Sequence, residues 1–163
     1  MKFIADVMLG TLARWLRVLG QDVAYDPFIN DSLLMRRARE EGRLLLTRDT
    51  RLLLVKDVPP YLFITDDQLE KQLAQVIETL QLIPNENEFL TRCLACNGVL
   101  EGVDRKIVKA KVYPYVYATQ REFRRCPDCS RIYWPGTHLP RLKEKLYRLL
   151  GFGNVKRPAS EKE

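Results

Sequence analysis

The four cysteines of this 163-residue chain fall into two Cys-x-x-Cys pairs, and this spacing constrains the fold more than any other feature. The pairs are Cys93/Cys96 and Cys126/Cys129. Two intervening residues let each pair form one knuckle, and two knuckles supply the four thiolates of a tetrahedral structural zinc. The alternatives are a disulfide, which a reducing compartment disfavours, and a redox Cys-x-x-Cys, which needs a βαβ context that this region lacks. The spacing therefore predicts one structural Zn²⁺ per chain, with no open coordination position for catalysis.

The segment before the cysteines alternates short apolar runs with helical patterns, which predicts an α/β domain with a mostly parallel sheet over residues 1–85. Leucines at positions 9, 12, 16 and 19 recur at the spacing of a helix face. Two further helices are predicted, from about Ser32 to Glu41 and around Leu69–Leu80. The predicted strands are Lys2–Ala5, Asp22–Tyr25, Arg43–Thr47 and Tyr61–Thr65.

The pattern changes after the polar connector Ile83–Glu88, which we interpret as a domain boundary. Residues 90–150 are predicted to form a small β zinc ribbon with a basic terminal helix, and residues 151–163 a disordered tail. The 29 residues between the knuckles exceed the roughly 15–20 of the simplest two-knuckle pattern. We expect the excess to form an extended β-hairpin through Lys106–Tyr117.

Composition excludes several classes of protein. No apolar run approaches the roughly 18 residues that a membrane helix needs, and no apolar segment follows Lys2 as it does in a secretion signal. We therefore expect a soluble cytoplasmic protein without a membrane partner. The one histidine, His138, lacks the partner motifs of a Ser-His-Asp or Cys-His mechanism, and no glycine-rich phosphate loop is present.

Acidic residues follow three of the predicted strands. Asp6, Asp49 and the pair Asp66-Asp67 stand where strands end, and Asp31 begins a predicted helix. Because the carboxyl ends of parallel strands meet at one edge of a sheet, these carboxylates are expected to converge there. Converging acids repel one another unless a cation neutralises them, and oxygen ligands without histidine favour Mg²⁺ or Mn²⁺. Such a site suits phosphodiester hydrolysis. The alternative is that each aspartate only caps a helix, which explains Asp49 least.

These acids and knuckles belong to longer motifs, and together the motifs resemble the Mut-seven C-terminal RNase family over residues 2–148. The resemblance implies a PIN-like three-layer α/β/α ribonuclease domain followed by a zinc ribbon, and a metal-dependent RNase activity. It implies catalytic, metal-binding roles for Asp6, Asp31 and Asp49. Asp66 and Asp67 do not match the family pattern cleanly, but their position after a predicted strand makes Asp66 the expected fourth catalytic acid, with Asp67 as its alternative. The motifs are Phe3–Asp6, Leu9–Gly10, Leu12–Arg17, Gly20, Asp31, Arg43–Asp49, Arg92–Cys96, Cys126–Cys129, Arg131–Trp134 and Gly136–His138.

Charge divides the chain into two unlike halves. Residues 1–90 hold 11 Lys/Arg and 14 Asp/Glu, whereas residues 91–163 hold 16 and 7. In the second half, cations are interleaved with aromatic residues, a composition that suits single-stranded RNA, although the aromatic residues can instead form the core of the ribbon. The residues predicted to contact RNA are Arg14, Arg17, Arg48, Lys109, Lys111, Arg121, Arg124 and Arg125.

The sequence thus predicts a Mg²⁺- or Mn²⁺-dependent ribonuclease whose zinc ribbon assists RNA binding. Two alternatives remain open at this level. One is a non-catalytic RNA-binding or adaptor protein in which the acids only cap helices. The other is a nuclease acting on DNA.

Overall fold

The computed structural model describes residues 1–136, 144 and 146–148, and its N-terminal half is built on a four-stranded sheet in which all strands are parallel. The spatial order is β2-β1-β3-β4, so β2 is an edge strand. Ile4 of the first strand lies opposite Ala24 on one side and Leu45 on the other. The strands are β1 (Lys2–Ala5), β2 (Asp22–Ala24), β3 (Leu44–Thr47) and β4 (Tyr61–Phe63).

Helices cover both faces of this sheet, which confirms the predicted three-layer α/β/α architecture. Side chains alternate across a strand, so Phe3 enters one core with α1 and α3, while Ile4 enters a second core with α2. Both side chains are almost completely buried. The helices are α1 (Gly10–Val18), α2 (Asp31–Glu40) and α3 (Leu69–Thr79).

Two short 3₁₀-helices, Val7–Leu9 and Thr50–Leu54, directly follow β1 and β3 at the carboxyl edge of the sheet. Gly20, in the loop between α1 and β2, has φ of +83°. A Cβ there would lie 2.4 Å from the carbonyl oxygen of Glu88, so glycine is required both by the backbone conformation and by this close approach.

The C-terminal part contains a small antiparallel sheet in the order β5-β6-β7. The predicted β-hairpin through Lys106–Tyr117 is wrong, because the chain between β5 and β6 forms two short helices instead. Asp104 caps the first of them by accepting a hydrogen bond from the Lys106 amide, and Pro114 begins the second, where its missing N–H is tolerated. The elements are β5 (Glu101–Gly102), α4 (Arg105–Val108), α5 (Pro114–Thr119), β6 (Arg124–Arg125) and β7 (Ile132–Tyr133).

The two parts of the chain share packing. Phe89 and Leu146 are buried in the same core as α1 and α3, and the Leu90 amide donates to the Val18 carbonyl. Residues 144 and 146–148 are helical, in agreement with the predicted terminal helix. The remainder of that helix, His138 and the predicted tail 151–163 lie outside the described residues. In the part of the chain that the structure describes, no helix has the length and apolar character needed to cross a membrane.

Candidate functional site

The four cysteines lie together, as their spacing predicts. Their Sγ atoms all lie within 4.8 Å of one another, with Cys93 to Cys129 at 3.5 Å and Cys96 to Cys126 at 3.4 Å. Four sulfurs bound tetrahedrally at about 2.3 Å from a zinc ion lie roughly 3.8 Å apart, so the cluster has the dimensions of a zinc site. All four side chains are free thiols. The arrangement can hold one metal ion with all four ligands from the protein.

The two knuckles have the same backbone geometry. In the first, the Asn97 amide donates to the Cys93 carbonyl at 2.9 Å, and in the second the Ser130 amide donates to the Cys126 carbonyl at 2.9 Å. Asn97 and Ser130 each follow the second cysteine and each have a positive φ. A Cβ on Gly98 would lie 2.9 Å from the Cys126 sulfur and 2.2 Å from Asp128, so glycine lets the knuckles face each other.

Neighbouring donors favour the thiolate form of one cysteine. Burial alone would raise the pKa of Cys93, but the Tyr133 hydroxyl at 3.0 Å and the backbone amides of Cys96 and Ala95 lower this pKa to about 6. Burial, together with the neighbouring thiols, instead raises the pKa of Cys96 to about 12. A bound cation removes the penalty for placing several thiolates together, because a coordinated thiol is deprotonated outright.

The first knuckle is fixed to the N-terminal sheet by Arg17, which the sequence predicted to contact RNA. That prediction is wrong, because Arg17 is only 3% exposed. Its Nε donates to the Val23 carbonyl at 2.9 Å, and its Nη1 donates to the carbonyls of Leu94 and Ala95, both at 3.1 Å. Leu94 and Ala95 are the two residues between the first pair of cysteines. Arg17 therefore joins the knuckle to the edge strand.

Asn97 completes this junction. Its side-chain oxygen accepts from the Val23 amide at 3.0 Å, and its side-chain nitrogen donates to Asp22 at 2.8 Å. The Asp22 carboxylate also pairs with Arg43 at 2.7 Å and with Arg92 at 3.6 Å. The Val23 amide and carbonyl are thus both bonded, so Asn97 and Arg17 together cover the edge of the sheet at this residue.

Asp6 is the most constrained of the predicted catalytic acids. It stands directly after β1 and is 2% exposed. Its Oδ1 accepts from the Met8 amide at 2.8 Å, while its Oδ2 accepts from the Thr47 hydroxyl at 2.5 Å and the Arg48 amide at 2.8 Å. Two elements therefore fix this carboxylate at the carboxyl edge of the central strands.

Asp49 is linked to Asp6 through Thr47, whose hydroxyl accepts from the Asp49 amide at 3.0 Å. The expectation that capping explains Asp49 poorly is wrong, because its carboxylate caps the 3₁₀-helix Thr50–Leu54 by accepting from the Arg51 amide. The Arg51 guanidinium also donates to both carboxylate oxygens, at 3.1 and 2.8 Å. These bonds hold the pKa of Asp49 below its usual range. The hydrogen bonds and charge of Asp49 raise the pKa of Arg51, and the charge of Asp31 adds a smaller effect in the same direction.

The remaining acids are less closely associated. Asp31 is exposed in the first turn of α2, whose cap is Asn30. Asp66 follows β4, accepts from the Gln68 amide and pairs with Lys71 at 3.2 Å. Among the described residues, only the cysteines form a group of three or more potential ligands within 4.8 Å, and the aspartates form no such group. The oxygen donors at this edge suit Mg²⁺ or Mn²⁺, but their spacing is wider than that of a closed metal site.

The residues predicted to contact RNA differ in exposure. Arg17 is buried at the junction, whereas Arg48 and Arg125 are half-buried. The Arg125 Nε is buried without a hydrogen-bond partner among the described residues. The exposed members of the set are Arg14, Lys109, Lys111, Arg121 and Arg124.

Sequence reasoning missed three residues of these sites as functional groups. Thr47 bridges two acids, Arg51 neutralises one of them, and Asn97 bonds the edge strand. Thr47 carries a local signal, since a hydroxyl at the end of an otherwise apolar strand has to find a partner when it is buried. The partners of Asn97 lie 74 and 75 residues away, and no sequence pattern indicates them.

Comparison with known families supports the assignment that the fold and the knuckles suggest. Residues 1–146 match the family described as the Mut7-C RNAse domain. Searches of curated proteins and of solved structures returned no match. The family match covers the parallel-sheet domain, the connector and both cysteine knuckles. The chain therefore belongs to the Mut7-C RNAse domain family.

Proposed function

We propose that this protein is a metal-dependent ribonuclease that hydrolyses RNA phosphodiester bonds at the edge formed by Asp6, Asp31 and Asp49. The observation that carries the proposal is the buried Asp6 carboxylate, held by three donors and joined to Asp49 through Thr47. Membership in an RNase family supports it independently.

The residues at this edge have distinct proposed roles. Asp6, Asp49 and Asp31 provide oxygen ligands, and a Mg²⁺ or Mn²⁺ ion held there would supply a hydroxide nucleophile and stabilise developing negative charge. Thr47 fixes Asp6 relative to Asp49. Arg51 neutralises Asp49 and would release it to a cation bound at this edge. Asp66 lies after the neighbouring strand β4 and is proposed as an accessory acid.

The zinc ribbon is proposed to assist RNA binding. Its exposed cations Lys109, Lys111 and Arg121 supply positive charge for the phosphate backbone, while the structural Zn²⁺ holds the ribbon in shape. Four free thiols at a structural zinc site fit a reducing compartment, so we place the activity in the cytoplasm.

The decisive experiment compares Asp49→Asn with Asp57→Asn, in which the altered aspartate is exposed and belongs to another loop. Asparagine keeps the cap on the 3₁₀-helix but removes the charge that holds a cation. We expect Mn²⁺-dependent cleavage of single-stranded RNA to fall at least about 100-fold in Asp49→Asn and to stay unchanged in Asp57→Asn. Manganese binding, followed by electron paramagnetic resonance, should weaken in parallel.

An adaptor without catalytic activity is the second candidate. It is favoured by the capping bonds of Asp6 and Asp49 and by the separation of the three carboxylates. This candidate predicts no cleavage by the wild-type chain with any divalent cation. It also predicts equal RNA affinity for Asp49→Asn and the wild type, so the same experiment decides between the two functions.

A further inference from the structure

The segment 103–121, which we call the tyrosine arm, lies in the connection between β5 and β6, two strands of the ribbon that pair with each other. Glu101 lies opposite Arg125, and the Val103 amide donates to the Phe123 carbonyl at 3.1 Å. Within the arm, Val108 is completely buried, and the guanidinium of Arg105 lies 4.2 Å from the centre of the Tyr117 ring. The arm is therefore a folded projection of the ribbon.

Two tyrosines of the arm stay in solvent. Tyr113 is 79% exposed and Tyr115 is 75% exposed, although each ring is large enough to add substantially to a core. Their backbone is fixed, because the Tyr117 amide donates to the Tyr113 carbonyl at 3.0 Å and the Thr119 hydroxyl donates to the Tyr115 carbonyl at 2.9 Å. Among the described residues, neither ring packs against another aromatic ring.

The sequence around these rings is basic. The arm holds five basic residues and one acid. That acid, Asp104, accepts from the Lys106 amide and so is occupied in capping α4. Lys109 and Lys111 are exposed just before Tyr113. Fixed, solvated rings close in sequence to exposed lysines complement a ligand that offers both flat π-faces and negative charge.

We propose that the tyrosine arm binds unpaired bases of single-stranded RNA, with Tyr113 and Tyr115 stacking on bases and Lys109 and Lys111 contacting phosphates. The choice of RNA rests on the proposed ribonuclease function. Bases in a duplex are already stacked on one another, so the arm selects single strands. The arm supplies affinity and strand preference, and the acidic edge supplies the chemistry.

Fluorescence anisotropy of the full chain tests this proposal, using a labelled oligouridylate without Mg²⁺ or Mn²⁺ so that no cleavage occurs. Stacking contributes about 1–3 kcal/mol per base, so Tyr113→Ala and Tyr115→Ala should each raise the Kd at least about fivefold. Tyr113→Phe and Tyr115→Phe should stay within about twofold of the wild type, because they keep the ring that stacks. Tyr61→Ala is the matched control, since Tyr61 is an exposed tyrosine on β4, outside the arm.

Two further measurements separate rings from charges. On an abasic strand of the same length, the tyrosine variants should bind as the wild type does, because no base is present. Lys109→Gln and Lys111→Gln should each reduce the slope of log affinity against log salt by about 0.7, whereas the tyrosine variants keep that slope.

The proposal is overturned if Tyr113→Ala and Tyr115→Ala bind the oligouridylate as tightly as Tyr61→Ala, or if the wild type binds no RNA. It is also overturned if these variants change only the oligomeric state, since the arm would then contact a second copy of the chain. The outcome is independent of the proposed chemistry. If the tyrosine variants lose RNA binding but the wild type never cleaves RNA, the proposal for the arm is supported and the ribonuclease function is refuted. If the wild type cleaves RNA but the tyrosine variants bind it normally, the ribonuclease function is supported and the proposal for the arm is refuted.

Discussion

Arg17→Met tests whether the first cysteine knuckle stabilises the N-terminal sheet. Methionine keeps the apolar stem in place but removes all three hydrogen bonds to the carbonyls of Val23, Leu94 and Ala95. At a net value of about 1 kcal/mol for each bond, the free energy of unfolding should fall by about 3 kcal/mol. For a chain of this length, that loss lowers the Tm by about 6–12 °C.

The matched control is Arg14→Met, one turn earlier on α1, where the arginine is exposed. Exposed substitutions of this kind change stability by less than about 0.5 kcal/mol. Thermal unfolding of the zinc-loaded variants, followed by circular dichroism, gives both values. Hydrogen exchange should also show faster opening of β2 in Arg17→Met only. If the two variants melt within about 2 °C of each other, the hydrogen bonds of Arg17 do not stabilise the contact between the knuckle and the sheet.

Two further predictions concern the same junction. Removing the metal with a chelator should destabilise α1 and β2 as well as the ribbon, because the knuckle that bonds Arg17 and Val23 needs the metal to keep its shape. Hydrogen exchange of the amides in α1 and β2 measures this effect. Unchanged protection of both elements would show that the two parts of the chain are independent. Burial alone would raise the pKa of Asp22, but hydrogen bonds from Arg43 and Asn97 hold this pKa below 3.8. The Asp22 carboxylate therefore stabilises the folded state above pH 3.8, and this contribution is lost as the pH falls through the lower pKa of the folded state. Urea unfolding from pH 7 to pH 2.5 should therefore show a steeper loss of stability at about pH 4 and below for the wild type than for Asp22→Asn, and parallel curves would contradict this account.

Features that depend on near neighbours along the chain could be predicted from the amino-acid sequence. Two residues between cysteines dictate a knuckle, and apolar runs that alternate with helical patterns dictate parallel strands with crossover helices. The aspartates that follow strands reached the predicted edge for the same reason, since the end of a strand is a local property. The terminal helix and both knuckles were also predicted from local spacing.

Tertiary structure decided which of several local options each polar residue takes. The helical pattern around Arg17 is compatible with an arginine exposed to solvent and with one bonded to buried groups. The carbonyls that accept from its Nη1 lie 77 and 78 residues away along the chain. Asp49 becomes both a cap and the partner of Arg51 only once β3 has ended at the edge of the sheet. The arm between the knuckles became helical because Asp104 and Pro114 start helices, whereas alternating lysines alone suggested a strand. Local patterns set the secondary structure, but the partner of a buried charge depends on which distant segments the fold brings to it.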